Sequence, residues 1–248
     1  MTKYANETKT LLAGAERFDR AFIAGGALTS VFTRQPINDY DYYFKSEDAF
    51  RLAVEQAYDD GLWCVDVSKR AVTFARGNEV YQFMHFGFFP TAQNIFAAFD
   101  FTACMAAYDF DAKELVLHDE FLTHCSQRFL RFNPGTRYPL ASAVRVLKYQ
   151  DRGYSIGKGD VTRIALACRK VEINTWDDLK DQIGGAYGDK VVLNAQGEFS
   201  LDAAIAALDP DAIWTTRESQ EQPGNADDLL RKVAELKGET YRPLEEAA

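Results

Sequence analysis

Two short apolar runs near the start of the chain each lead into a distinctive polar or glycine motif. Residues 21–24 form an apolar run that stops at Gly25 and Gly26, and apolar residues then recur at helical spacing from residue 27 to residue 32. This change of spacing predicts a strand, a glycine turn and a helix. A second run, residues 40–44, is rich in aromatic side chains and predicts another strand.

The rest of the first half alternates between helical and strand-like spacing. We predict a helix over roughly the first 20 residues and another from an N-cap at Ser46 through Tyr58. Three further strands and one short helix are predicted, at residues 62–67, 70–75, 80–88 and 92–97 respectively.

The order of these elements predicts an α+β fold, with a small mixed β-sheet and helices on one of its faces. From about Tyr138 to Arg169 the spacing of apolar residues becomes helical, and the acidic segment that follows contains several amphipathic stretches. We therefore predict two domains, residues 1–135 with the sheet and residues 136–248 as a mainly helical C-terminal region.

Asp39 and Asp41 flank Tyr40 at the start of the second predicted strand. Because side chains alternate along a strand, both carboxylates are predicted to lie on one face. Mg²⁺ prefers one or two carboxylates together with phosphate oxygens and water, so the pair is a candidate catalytic metal site for Mg²⁺, with Mn²⁺ as the alternative. An Asp-x-Asp pair by itself is more often a solvated strand edge.

The glycine turn is a candidate phosphate site. Gly25 and Gly26 allow close approach of a phosphate to the backbone, at a helix N-terminus whose N–H groups favour anions. Thr29 and Ser30, in the first turns of the helix, are candidate hydroxyl donors to phosphate oxygens, although such residues are equally good helix starters.

Taken in order, these motifs resemble the polymerase-β-like nucleotidyltransferases, and in particular the head domain of bacterial-type CCA-adding enzymes and poly(A) polymerases. The Gly-Gly helix start followed by Asp-x-Asp aligns with residues 25–41 without a gap. The segment 99–108 is similar to the family's Arg-Arg-Asp-Phe-Thr motif, with Asp100 on its aspartate, and residues 145–149 resemble a basic helix that closes the head and neck. The resemblance covers roughly residues 18–157.

The resemblance implies the nucleotidyltransferase fold and transfer of a nucleoside monophosphate from a nucleoside triphosphate to a hydroxyl. The acceptor that it favours is an RNA or tRNA 3′ end, which would make the protein RNA-binding. It also implies that Asp100 faces the sugar of the nucleotide, whereas the local sequence alone is equally consistent with an N-cap.

The chain departs from the family pattern at three places. Thr29 and Ser30 replace the family's Arg-Asp pair, and two arginines are missing before Asp100. No carboxylate is found on the later strand where many members carry a third acid. Gln82, His85 or Asp100 are the residues left to complete the metal shell. A non-catalytic nucleotide-binding module is therefore the alternative from another functional class.

Arg145, Lys148 and Arg152 recur at about one-turn intervals and are predicted to present three cations on one helical face, toward a triphosphate or acceptor phosphates. The alternative is an ordinary solvated face. These residues belong to a local cluster of positive charge that consists of Arg128, Arg131, Arg137, Arg145, Lys148, Arg152, Lys158, Arg163 and Arg169.

The overall charge limits the choice of acceptor. The chain of 248 residues has 28 Lys and Arg against 37 Asp and Glu, a net charge of −9. Proteins that follow a nucleic-acid backbone usually present a basic surface. A local basic groove is compatible with this charge, but an extended tRNA-binding body is not, so a protein side chain or a small molecule are the alternative acceptors.

The remaining composition is that of a globular protein, and we expect a cytoplasmic location. No apolar stretch approaches the ~20 residues that cross a membrane, so no membrane partner is expected. The four cysteines are far apart and without a Cys-x-x-Cys motif, which favours buried thiols over zinc ligands or disulfides.

Overall fold

The computed structural model describes residues 3–184, 197–208 and 222–243. In the first part of the chain the helices are α1 (Ala5–Leu12), α2 (Gly26–Thr33), α3 (Glu47–Asp59), α4 (Ala92–Ala98) and α5 (Phe121–Gln127), with a single 3-10 turn at Thr102–Cys104. The strands are β1 (Ala21–Ala24), β2 (Tyr40–Phe44), β3 (Trp63–Val67), β4 (Ala71–Arg76), β5 (Glu79–Met84), β6 (Ala106–Asp109), β7 (Glu114–Leu117) and β8 (Phe129–Leu130).

The later described residues are mainly helical. They form α6 (Pro139–Asp151), α7 (Lys158–Cys168), α8 (Trp176–Gly184), α9 (Leu201–Ala207) and α10 (Ala226–Lys237), together with the two-residue strand β9 (Ser155–Ile156). None of the described helices is long and apolar enough to cross a membrane.

Seven strands form one mixed sheet in the order β3-β4-β5-β2-β1-β6-β7. Only β2 and β5 run parallel among the paired strands of this sheet, in a register that places Asp41 opposite Gln82. β1 pairs antiparallel with β2 on the other side. The predicted α+β class with a mixed sheet is confirmed, and Asp41 lies on a central strand of that sheet.

The two faces of the sheet are packed differently around β2. Phe44 contacts Phe50 of α3, so α3 covers the face that Tyr42 and Phe44 share. Tyr43 lies on the opposite face against the rings of Phe89 and Phe99. Because side chains alternate along the strand, Asp41 belongs to the same face as Tyr43, away from α3.

Helix α3 begins as predicted, since the Ser46 hydroxyl accepts a hydrogen bond from the backbone N–H of Ala49 at 3.2 Å. Helix α1 is shorter than predicted and ends at Leu12. Beyond it, the backbone carbonyls of Gly14 and Glu16 accept hydrogen bonds from the buried hydroxyls of Tyr81 and Tyr42. These side-chain bonds hold residues 13–20 as an irregular segment against the sheet.

The predicted boundary at residue 135 does not separate two cores. Tyr149 of α6, Ile164 of α7 and Leu229 of α10 are buried in the same apolar core as the strands. Leu179 of α8 and Ala204 of α9 belong to a separate small cluster. The described parts of the C-terminal region are therefore divided between a satellite cluster and the core of the sheet. Of the predicted C-terminal domain, residues 185–196, 209–221 and 244–248 lie outside the described residues.

Candidate active site

The two predicted metal carboxylates lie at the start of β2. Asp41 is inside the strand and only 6% exposed, whereas Asp39 precedes the strand and is half-buried. The strand is central in the sheet, because β1 and β5 flank it. This position explains why an ionisable side chain can be so deeply buried: its backbone is fixed by hydrogen bonds to strands on both sides.

Burial without a complete set of partners makes Asp41 electrostatically unusual. Its Oδ1 atom is buried and has no hydrogen-bond partner. Burial, and secondarily the carboxylate of Asp39, raise the pKa of Asp41 well above its usual value, while Arg145 and Lys148 act in the opposite direction. A buried carboxylate oxygen beside a second carboxylate fits a divalent cation, which would neutralise both groups.

The described residues contain no group of three or more His, Cys, Asp and Glu side chains arranged to hold a metal ion. Asp39 and Asp41 are the two carboxylate ligands that line the cleft. The donor set of two carboxylates suits Mg²⁺, which usually keeps several waters and takes phosphate oxygens from its substrate.

The glycine turn between β1 and α2 brings the helix N-terminus beside Asp41. Gly25 has a φ of +82°, and a Cβ there would lie 3.4 Å from the Phe99 ring and 3.8 Å from Oδ2 of Asp41. Its N–H group donates to the carbonyl of Ala106 at 3.1 Å, so Gly25 shapes the turn. At Gly26, by contrast, a Cβ would meet no atom within 4 Å, and this residue faces an open cleft.

The cleft brings together most of the residues that the sequence singled out. It has a volume of about 250 Å³. Among its lining residues are Gly26, Ser30, Asp39, Asp41, Gln82, Arg145, Lys148 and Arg152. Residues 25–41 supply one wall and α6, with Arg152 at its C-terminal end, supplies the opposite one, so three cations face the two carboxylates.

Thr29 is predicted to donate a hydrogen bond to phosphate oxygens, but its hydroxyl is hydrogen-bonded to the backbone. Its Oγ1 lies 2.9 Å from the carbonyl oxygen of Ala103, to which it donates, and 3.2 Å from that of Gly25. Because a hydroxyl has one proton to donate, Thr29 fastens α2 to the 3-10 turn, and Ser30 is the hydroxyl that lines the cleft.

Of the two roles left open for Asp100 by the sequence, the N-cap is wrong, and the contact with the sugar of a nucleotide stays a prediction. The 3-10 turn has Phe101 as its N-cap residue and shows no side-chain cap, so Asp100 does not cap it. The predicted apolar helix after this position is strand β6. Asp100 is 6% exposed and is absent from the residues lining the cleft. Its Oδ2 lies 3.4 Å from a guanidinium nitrogen of Arg145.

Of the residues proposed to complete the metal shell, Gln82 alone lines the cleft. It lies opposite Asp41 on the neighbouring parallel strand. His85 is wrong for this role, because it lies on the α3 face of the sheet and lines a separate cavity of about 490 Å³ between α3 and α10. Its Nε2 atom is 3.1 Å from the carbonyl of Ser68.

His85 should instead make stability depend on pH. Burial is the main cause that lowers the pKa of His85 from 6.5 to about 4. The unfolded chain therefore binds a proton that the folded chain excludes, and the contribution of His85 is present above about pH 6.5 and is lost as the pH falls toward 4. In urea titrations, His85→Gln should flatten the decrease in unfolding free energy across this window by about 2–3 kcal/mol. Equal slopes for variant and wild type would contradict the prediction.

Sequence reasoning missed several residues of the site. A second compartment of about 440 Å³ adjoins the cleft and shares Gly26, Ser30, Asn38, Tyr149 and Arg152 with it. Asn38 directly precedes Asp39 in the sequence, and this adjacency could have predicted that Asn38 lines the cleft. Tyr149 looks like an ordinary core residue, and nothing in its sequence context shows that its hydroxyl contacts Sγ of Cys104 at 2.6 Å beneath the cleft.

The mixed sheet, the glycine turn that starts α2 and the carboxylate pair at the start of β2 match the arrangement expected from the resemblance to nucleotidyltransferases. The chain belongs to the Gabija anti-defense 2 (Gad2) family, whose model matches residues 2–128. A curated relative, Gabija anti-defense 2 of Bacillus phage SPbetaL7, is 41% identical over 198 residues. The match covers 78% of this chain and 50% of the relative, so the chain spans about half the length of the relative it matches.

Solved structures with a similar fold are CCA-adding enzymes. The enzyme from Thermotoga maritima in complex with tRNA is similar with a TM-score of 0.48 at 13% identity, over 60% of this chain and 38% of that one. The Bacillus stearothermophilus enzyme in complex with CTP has a TM-score of 0.44 at 15% identity, over 75% of this chain and 50% of that one. At these values the likeness concerns the arrangement of strands and helices, and it carries no information on substrate.

Proposed function

We propose that this protein is a Mg²⁺-dependent nucleotidyltransferase that transfers a nucleoside monophosphate from a nucleoside triphosphate to a hydroxyl acceptor. The observation that carries the proposal is the buried, unpartnered carboxylate oxygen of Asp41, which lies beside Asp39 in a cleft shared with three cations. The α-phosphate would lie near the carboxylates, with the rest of the triphosphate between α2 and α6.

The charge of each residue in the cleft determines its proposed role: the carboxylates would bind the metal, and the cations would bind the phosphates. Asp39 and Asp41 would hold Mg²⁺, which when bound neutralises the phosphates and favours the ionised form of the attacking hydroxyl. The open backbone at Gly26 and the hydroxyl of Ser30 would bind phosphate oxygens at the positive end of α2. Arg145, Lys148 and Arg152 would bind the phosphates from the other wall.

The proposed reaction is a direct transfer that needs no covalent intermediate with the protein. The acceptor hydroxyl loses its proton to water and its oxygen forms a bond to the α-phosphorus. The bond from that phosphorus to the oxygen that bridges the α- and β-phosphates breaks, and pyrophosphate leaves with the electron pair. Positioning and electrostatic stabilisation account for catalysis in such transfers. The cations of α6 line the same cleft as the carboxylates, so they would stabilise the charge that develops on the leaving pyrophosphate as well as bind the triphosphate.

We further propose that the acceptor is a protein hydroxyl, and that the transfer counters a host defence in line with the family's name. The charge distribution supports this choice over a long RNA. Arg131 and Arg163, in the cluster that could follow an RNA backbone, both pair with Asp160, and the whole chain carries a net charge of −9. Fewer cations are then left for nucleic-acid phosphates.

A labelling experiment tests both the nucleotidyl transfer and the proposed protein acceptor. The wild type, supplied with Mg²⁺ and α-labelled nucleoside triphosphates in a bacterial lysate, should give a labelled product that protease destroys and RNase does not. Asp39→Ala should abolish the label, whereas Asp19→Ala, which removes a carboxylate whose side chain is 81% exposed, should not. Equal labelling by wild type and Asp39→Ala would refute the transfer, and an RNase-sensitive product would refute the protein acceptor.

A non-catalytic nucleotide-binding module is the second candidate. It is favoured by Gln82, an uncharged residue at the register position opposite Asp41. A module of this kind would bind a nucleoside triphosphate with Mg²⁺ in calorimetry and release no pyrophosphate in any lysate. Release of pyrophosphate that depends on Asp39 would eliminate it.

A further inference from the structure

Arg145 reaches the cleft from α6 and is held by Asp100, which does not line the cleft, and by Tyr149, which does. Its guanidinium is 3.4 Å from Oδ2 of Asp100 and 3.5 Å from the hydroxyl of Tyr149. The side chains of Arg145 and Asp100 are 15% and 6% exposed, so the ion pair is largely shielded from solvent. At the same time Arg145 lines the cleft and acts on the carboxylate of Asp41.

The Asp100 side of this pair rests on a fixed backbone. The carbonyl of Asp100 accepts a hydrogen bond from the N–H of Asn133 at 2.7 Å. The side-chain amide of Asn133 donates to the carbonyl of Phe99, also at 2.7 Å. The ring of Phe99 in turn packs against Tyr43 of β2. Asp100 is thereby anchored to the sheet that carries the two metal carboxylates.

We propose that Asp100 is a positioning residue that orients Arg145 toward the triphosphate without contacting the nucleotide. This inference rests on the proposed function. An arginine side chain can adopt many rotamers, and a buried carboxylate partner restricts them before the nucleotide binds. The Asp100–Arg145 pair also links the segment between α4 and the 3-10 turn to α6, which carries the cations of the cleft.

A double-mutant cycle tests this role. Asp100→Asn should raise KM for the nucleoside triphosphate roughly 10- to 100-fold with a smaller change in kcat, a range that corresponds to losing one charged hydrogen bond. In an Arg145→Gln background the same change should alter KM by less than about twofold, since the residue through which Asp100 acts is gone. Additive effects of the two substitutions would overturn the proposal.

Asp160→Asn is the matched control, because Asp160 is equally buried, pairs with Arg131 and Arg163, and does not line the cleft. It should lower the melting temperature without raising KM, and a KM as high as that of Asp100→Asn would point to a general loss of structure. Asp100→Glu keeps the charge and should recover part of the affinity. Calorimetry with a non-hydrolysable triphosphate and Mg²⁺ separates the two proposals. A wild type that binds no nucleotide overturns both, whereas tight binding that Asp100→Asn leaves unchanged overturns the positioning role alone.

Discussion

Replacing Asp41 with asparagine is expected to abolish nucleotidyl transfer and, at the same time, to stabilise the metal-free protein. Loss of a metal ligand removes several kcal/mol of transition-state stabilisation, so activity should fall at least ~1,000-fold. The stability effect follows from the pKa of Asp41, which burial and Asp39 raise in the folded chain. The folded chain then binds a proton more readily than the unfolded one, and the ionised carboxylate destabilises the metal-free fold at neutral pH.

Scanning calorimetry and pyrophosphate release measure the two effects on the same samples. For each ~1 kcal/mol of this destabilisation that is removed, which comes first from burial of the charge and then from repulsion by Asp39, the melting temperature at pH 7 should rise by about 2–4 °C. Mg²⁺ should raise the melting temperature of the wild type and leave that of Asp41→Asn unchanged. Asp19→Asn, at an exposed site, should change neither activity nor melting temperature. An active Asp41→Asn variant would contradict the role of this carboxylate as a metal ligand. A destabilised variant would show that the carboxylate has a structural role.

Truncation of Leu229 to alanine is expected to destabilise the whole catalytic fold, although this residue is far along the chain from the site. Leu229 of α10 is fully buried in the core of the sheet. The segment around it is tied to α3, since Tyr58 donates to the carbonyl of Pro223 at 2.7 Å and Arg51 donates to that of Arg242. Removing a buried leucine side chain leaves a cavity and costs about 2–5 kcal/mol.

Urea denaturation with transfer activity as a second readout checks this prediction. The same substitution at Leu201, which is 68% exposed on α9, is the control and should change the unfolding free energy by no more than about 0.5 kcal/mol. If residues 1–135 formed an independent domain, Leu229→Ala would leave the unfolding of the sheet unchanged. That result would contradict the single core described above.

The link between α10 and the sheet also shows that the segment matched by the family model does not contain the whole core. The family model covers residues 2–128, and the match to the phage relative spans about half of that relative. The core of the sheet nevertheless includes α6, α7 and α10, which lie beyond the matched segment. A fragment that ends near residue 128 would therefore expose apolar surface that these helices cover.

Local patterns were sufficient for the elements whose signals are short in range. The strand, glycine turn and helix at residues 21–33 and the N-cap at Ser46 depend on neighbours within a few residues. The same holds for the common face predicted for Asp39 and Asp41, which both line the cleft. The predicted helix at the start of the chain was longer than α1. The carbonyls of Gly14 and Glu16 accept hydrogen bonds from Tyr81 and Tyr42, which are distant in sequence.

The sequence by itself determined the candidate chemistry: an aspartate pair on a strand, a glycine turn at a helix start, and three cations at helical spacing. Only the tertiary structure decided how these parts are used. It turned Thr29 toward a backbone carbonyl, placed Asp100 behind Arg145 and moved His85 to the opposite face of the sheet. Residue type and spacing limit what a side chain can do, whereas its burial and partners come from chain segments brought together by folding.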